Sequence, residues 1–243
     1  MNKTKGDHLF LVLESYGGDP FSAVAIMNIL QDRFQKITTI IPNHAKSAAT
    51  LMALGTDEIY MHERASIGPL DLPVEHPKDG TTISALDIQQ TVTNLSVLSE
   101  SITAERYDFL RKDKKVSKKV AAHFALEYGT KFLVPIVAQI DPYHLQKASR
   151  ELKIGWWYAI DMLLSRMMKG NVQQASNTAR SLVNDWPAHE YAIFANDARD
   201  MLKLNVYKLD DLPYWKSYLE KEYNDKYANK NHRIVFITPD SKK

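Results

Sequence analysis

No cysteine occurs anywhere in the 243 residues. That excludes a disulfide framework, a thiol nucleophile and cysteine-ligated zinc, and it fits a cytoplasmic protein. Long apolar runs are missing as well. Met1–His8 leads into Leu9–Leu13 alone before Glu14, too short for a leader's apolar core, and Phe132–Ala138 is interrupted by Pro135. No membrane span is expected. Neither sign of charge dominates: 31 Lys and Arg against 29 Asp and Glu leave a net charge of +2. Such a balance gives no field suited to nucleic acid, and the cluster Lys112, Lys114, Lys115, Lys118 and Lys119 reads as a solvated helix end. No His, Asp and Glu set has a zinc spacing such as His-Glu-x-x-His, and no phosphate-loop or dinucleotide fingerprint occurs. No metal and no cofactor is therefore expected.

What is present is enough apolar residue, 44% of the chain, for a substantial core in one large domain or two small ones. The first part reads as α/β. Leu9–Leu13 and Ile37–Ile41 are short apolar runs bounded by turn residues, the pattern of buried parallel strands, with Phe21–Phe34 as the helix between them. A short helix follows Ser47, and then Ile59-Tyr60-Met61 as a third strand. Val74–Thr82 reads as a polar linker. From Ser84 to about Asn184 the chain is almost wholly helical, with Ala85–Lys112, Ser117–Gln139 and Pro142–Lys169 as long helices. Asp141-Pro142 is a helix start, Asp as cap and Pro at the first helical position. A helix from about Asn196 to Leu204, an amphipathic helix over Asp210–Asp225 and a strand at Arg233–Thr238 complete the expectation.

The chemistry concentrates in two places. Ser15-Tyr16-Gly17-Gly18-Asp19 ends the first strand, and Ala45-Lys46-Ser47-Ala48-Ala49 opens an apolar helix one short strand later. A serine at a helix start sits where free N–H groups favour developing negative charge. A Gly-Gly turn beside it can bring further backbone donors close to a substrate. Each piece alone is common: Ser47 as an ordinary N-cap, Gly17-Gly18 as an ordinary turn. Their order and spacing point instead to an acyl-transfer site.

Ser-Tyr-Gly-Gly-Asp at 15–19, Pro42 through Ile59 around Ala-Lys-Ser-Ala, Ser66-Ile67-Gly68-Pro69-Leu70-Asp71, and Trp186-Pro187-Ala188-His189 ahead of Asn196-Asp197-Ala198 resemble, as an ordered set, the Clp/crotonase superfamily. Within it the chain is most similar to the serine dehydrogenase proteinase family, related to signal-peptide peptidase A. The resemblance runs over roughly residues 7–206. It implies a domain at 1–206, mainly helical over 84–184, with 207–243 as an extension. The implied fold is an α/β spiral of β-β-α units of the ClpP/crotonase kind with a long helical middle. The family's usual first strand and helix are missing, because the chain starts almost at the Gly-Gly strand. The resemblance also implies Ser47 as nucleophile, Gly17, Gly18 and the Ala48 N–H at the oxyanion hole, and a peptide or protein substrate. It further implies a homo-oligomer built from trimers or their multiples. A sheet edge left bare at the Gly-Gly strand argues for assembly too, unless Arg233–Thr238 folds back over it. Two motif positions depart from the family: Ser-Tyr-Gly-Gly stands for Ser-Pro-Gly-Gly, and Ser-Ala-Ala for Ser-Ala-Gly.

A serine needs a base. Matching Ser66 to the serine ahead of the Clp histidine puts Asp71 at the histidine's place, and matching the late segment puts His189 beside the aspartate's place. The two residue types are thus exchanged, and a Ser47–His189–Asp71 triad keeps all three roles. The rival is a Ser–Lys dyad with Lys78, the single lysine between Ser47 and Lys112, as base. Two other functions stay open: an inactive scaffold that keeps the fold for protein partners, and an acyl-CoA enzyme that would need the oxyanion hole but not Ser47.

Overall fold

The computed structural model describes residues 6–75, 80–213 and 215, and the backbone of 233–237. The chain divides into two compact units: one takes the residues up to Leu72 and from Leu152 onward, the other Pro73–Glu151. Together they give a mixed α/β protein with a mainly parallel sheet in the first unit.

The first unit opens with strand β1 (Gly6–Glu14), whose centre, Leu9–Leu13, is buried on both faces. Asp19 then starts helix α1 (Pro20–Arg33): its Oδ2 accepts the Ser22 N–H at 2.7 Å, and Pro20 takes the first-turn position where a missing N–H costs nothing. Strand β2 (Phe34–Ile41), strand β3 (His44–Ala45), helix α2 (Ala48–Leu54), strand β4 (Glu58–Met61) and strand β5 (Ser66–Ile67) follow.

The second unit begins with a short antiparallel pair, β6 (Pro73–Glu75) and β7 (Thr82–Ser84), flanking the stretch read as a polar linker. Helices α3 (Ala85–Lys112) and α4 (Lys118–Val137) pack against each other, each capped by the serine before it. Helix α5 (Pro142–Ser165) starts, as the sequence predicts, with the Asp141 Oδ1 accepting the Tyr143 N–H at 2.8 Å. The division between the units falls inside α5.

Back in the first unit, helix α6 (Val172–Asn184) buries the stripe Ala175, Thr178, Ala179, Leu182 and Val183, an apolar face at helical spacing. Strand β8 (Ile193–Phe194), helix α7 (Ala195–Asp200), strand β9 (Val206–Lys208) and strand β10 (Arg233–Ile237) complete the description. The helix expected to reach Leu204 stops at Asp200, and β9 was not anticipated. The expected helix over Asp210–Asp225 begins as a single 3₁₀ turn at Leu209–Asp211, and most of its remainder lies outside the described residues.

The main sheet runs β10-β1-β2-β4-β9, parallel throughout except that β10 lies antiparallel on β1. Phe10, Val12 and Ile40 form a core cluster with Leu209, Leu212 and Trp215. A parallel sheet needs both faces covered, which explains why β1 and β2 read as continuous apolar runs rather than alternating ones. The β1 edge, expected to lie bare, is covered by β10. Residue pairs from Phe10↔Ile237 to Glu14↔Arg233 cover the β1 edge within the chain. A second, small sheet, β3-β5-β8, stands at the C-terminal end of β1, where Ser15 bridges Ala45.

Candidate active site

The small sheet is what assembles the site. Ser15 N donates to the His44 carbonyl at 3.1 Å and Lys46 N to the Ser15 carbonyl at 2.9 Å, tying the end of β1 to β3. On the other side β5 pairs with β3, and Gly68 N donates to the Ala45 carbonyl at 3.2 Å. The buried Thr50 hydroxyl lies 2.8 Å from the Ala45 carbonyl and accepts the Gly68 N–H at 3.1 Å, fixing α2 to both strands.

Between β3 and α2 stands Ser47, buried, with φ 49° and ψ −116°. For a residue with a Cβ this is a sparsely populated, strained conformation, and such strain is kept where the surroundings over-determine it, often at functional sites. The same sharp strand-to-helix turn is how hydrolases of other folds expose a nucleophilic serine. Ser47 makes no side-chain capping bond, so the ordinary N-cap explanation for this residue does not hold.

Gly17 explains its own identity. It has φ +113°, and a Cβ built there would lie 2.9 Å from the Ser47 Cβ, 3.0 Å from the Lys46 carbonyl oxygen and 3.4 Å from the Ala48 nitrogen. Only glycine allows the end of β1 to approach the serine turn so closely. Gly17, Ser47 and Ala48 are therefore neighbours. The Gly17 N–H donates to Ser15 Oγ at 3.1 Å, while a Cβ at Gly18 would meet nothing within 4 Å.

Asp71 and His189, 118 positions apart in the chain, lie together: His189 Nδ1 is 3.9 Å from Asp71 Oδ2, with the carboxylate buried and the imidazole about a third exposed. Two connections bring this about. Leu70 N donates to the Leu182 carbonyl at 2.9 Å, joining the segment after β5 to the end of α6. Beyond it, β8 pairs antiparallel with β5 through Ser66↔Phe194 and Ile67↔Ile193. His189 sits in a turn closed by Tyr191 N donating to the Ala188 carbonyl at 3.1 Å, and the Tyr191 ring packs on the buried Trp186 ring at 5.2 Å. Lys78, the alternative base, lies outside the described residues.

Lys46, the neighbour of Ser47, also reaches into the site. Its ammonium reaches the Ile67 carbonyl at 3.1 Å and the Tyr191 carbonyl at 3.0 Å. Burial pushes its pKa below the ordinary lysine value. Among the described residues no group of three or more metal-ligating side chains is gathered, and no helix is long and apolar enough to cross a membrane.

Residues 3–95, which carry the glycine turn, the serine turn and Asp71, match the family described as ClpP-like SDH-type serine proteinase. Two uncharacterized proteins of Methanocaldococcus jannaschii are similar to the chain, one 38% and the other 36% identical over 61 residues. Each match covers 25% of this chain and 21% of the relative, so the chain spans about a fifth of the length of the curated relatives it matches. No solved structure matches the chain.

Proposed function

We propose that the chain is a serine-type hydrolase, a peptidase that works through an acyl-enzyme on Ser47. The observation that carries this reading is the strained Ser47 turn, held by Thr50 and pressed by Gly17. In the reading, His189 removes the Ser47 hydroxyl proton as the oxygen attacks a peptide carbonyl. Asp71 orients the imidazole and stabilises it once charged. The N–H groups of Ala48 and Gly18, with Gly17 shaping their approach, take the developing oxyanion. His189 then protonates the leaving amine, and water repeats the sequence to release the acid. The region from β1 to β5 is read as the ClpP/crotonase-like spiral. Hydrolysis of unfolded protein substrates should be measurable and should fall to background in Ser47→Ala; turnover unchanged by that substitution would refute the assignment.

The inactive-scaffold reading has its own support. The Gly17 N–H is already engaged by Ser15 Oγ, and the His189–Asp71 separation of 3.9 Å exceeds a hydrogen bond. Absence of turnover in a folded, assembled sample would favour it.

Assembly into a homo-oligomer belongs to the same proposal. With the β1 edge covered, its support is the apolar surface of α4, where Phe124, Leu126, Phe132, Val134 and Val137 are exposed. Light scattering after size exclusion should give a multiple of 27.8 kDa; a monomer at micromolar concentration would contradict it.

A further inference from the structure

Lys46 is a side chain that spans the serine turn and the histidine turn. Its backbone is fixed first: the N–H donates to Ser15, and its carbonyl oxygen lies 3.0 Å from where a Gly17 Cβ would stand. Its stem then runs over Gly68, where an added Cβ would come 2.7 Å from Lys46 Cδ, so the absent side chain at 68 leaves the space the lysine fills. The ammonium finally donates to two main-chain carbonyls on separate segments, Ile67 after β3's partner strand begins and Tyr191 at the close of the His189 turn.

Ordinary surface electrostatics do not account for this placement. A half-buried ammonium normally finds a carboxylate, because desolvation disfavours the charge. Among the described residues Lys46 has none, and burial alone lowers its pKa. What the arrangement gains is a crosslink. Tyr191 is held at three points: its N–H by Ala188, its ring by Trp186 and its carbonyl by Lys46. Two of these contacts are internal to the segment 186–191. Of the three, the lysine contact alone reaches across to residues next to Ser47.

We propose that Lys46 is a positioning residue for His189: its ammonium joins the Tyr191 carbonyl to the Ile67 carbonyl and so fixes the histidine turn relative to the serine turn. The proposal rests on the reading of Ser47 as nucleophile and His189 as base. Small displacements of a base from its proton are costly, so the lysine acts on rate without touching substrate.

A double-mutant cycle tests it. Rates of Ser47 labelling by a fluorophosphonate are measured for the wild type, Lys46→Met, His189→Ala and the double variant. Lys46→Met keeps the stem over Gly68 and removes the donors. It is expected to slow labelling ~10- to 100-fold. In the His189→Ala background the same change should cost nothing further, because a residue acting through His189 has no effect once the imidazole is gone. An unchanged rate for Lys46→Met, or an equal loss in both backgrounds, overturns the proposal. Amide hydrogen exchange on the same samples separates it from the functional reading. Residues 188–192 should lose protection in Lys46→Met while β1 and β2 keep theirs. If the wild type is not labelled, the functional reading fails and exchange alone decides whether the crosslink exists; unchanged protection at 188–192 overturns it. Should Lys46→Met fail to fold, Lys46→Gln, too short to bridge both carbonyls, goes through the same cycle.

Discussion

His189→Ala is expected to slow acylation of Ser47 by ~10³- to 10⁴-fold, the scale on which positioned general bases act. The expectation follows from the approach of the imidazole to the buried Asp71 carboxylate at 3.9 Å. If that approach closes to a hydrogen bond when substrate binds, the carboxylate fixes which ring nitrogen carries the proton and leaves the other free to accept one. Asp71→Asn should therefore lose most of the rate as well, while the protein stays folded. Lys78→Ala should leave the rate within a few-fold of wild type. Stopped-flow or timed labelling followed by intact mass gives all three rates. The opposite ranking, with Lys78→Ala severe and His189→Ala mild, would replace the triad with a serine–lysine dyad.

Arg166→Met should destabilise the first unit strongly, without altering the chemistry of the folded protein. The Arg166 guanidinium is about 10% exposed, and it pairs with Asp57 Oδ2 at 2.9 Å. It also donates to the carbonyls of Gln35 at 2.7 Å, Phe34 at 2.6 Å and Gln31 at 3.1 Å. These carbonyls close α1 and open β2, and Asp57 also accepts the Ile37 N–H at 2.7 Å. Removing the guanidinium strands several acceptors at once, a loss of about 3 kcal/mol by the usual cost of breaking a buried charged network. Lysine cannot replace the fork that serves four acceptors, so Arg166→Lys should recover little. Urea unfolding measures the difference as a shift in midpoint at unchanged slope. A loss below about 1 kcal/mol would mean that water satisfies those carbonyls as well as the arginine does.

The early part of the fold was legible because its signals are local. Leu9–Leu13 and Ile37–Ile41 read as strands buried on both faces, and α3 and α4 follow from helical periodicity. Strands β6, β7 and β9 were missed because three-residue strands exist through their partners: Val74 pairs with Ile83, and Tyr60 with Tyr207. The covering of β1 by β10 was visible only as an alternative, since pairing across more than 200 residues leaves no local trace. At the site, residue types and order point to Ser47 and Gly17, while Asp71 and His189 are named only through the family resemblance. The φ of Ser47 was not readable, because the residues before it are held by distant partners: Lys46 by Ser15, and Ala45 by Thr50 and Gly68. The direction of Lys46 was not readable for the same reason: it is set by the space over Gly68 and by two distant carbonyls.

The most direct test of the account is where a limiting fluorophosphonate attaches. Trypsin cuts after Lys46 and Arg64, so Ser47 begins the peptide Ser47–Arg64, or lies within Ile37–Arg64 if an adduct blocks cleavage at Lys46. Fragmentation should place the phosphonyl group on Ser47, with no adduct in Ser47→Ala. A modification on any other residue, or a folded protein that takes up no probe, would contradict the claim that this serine turn is a nucleophile.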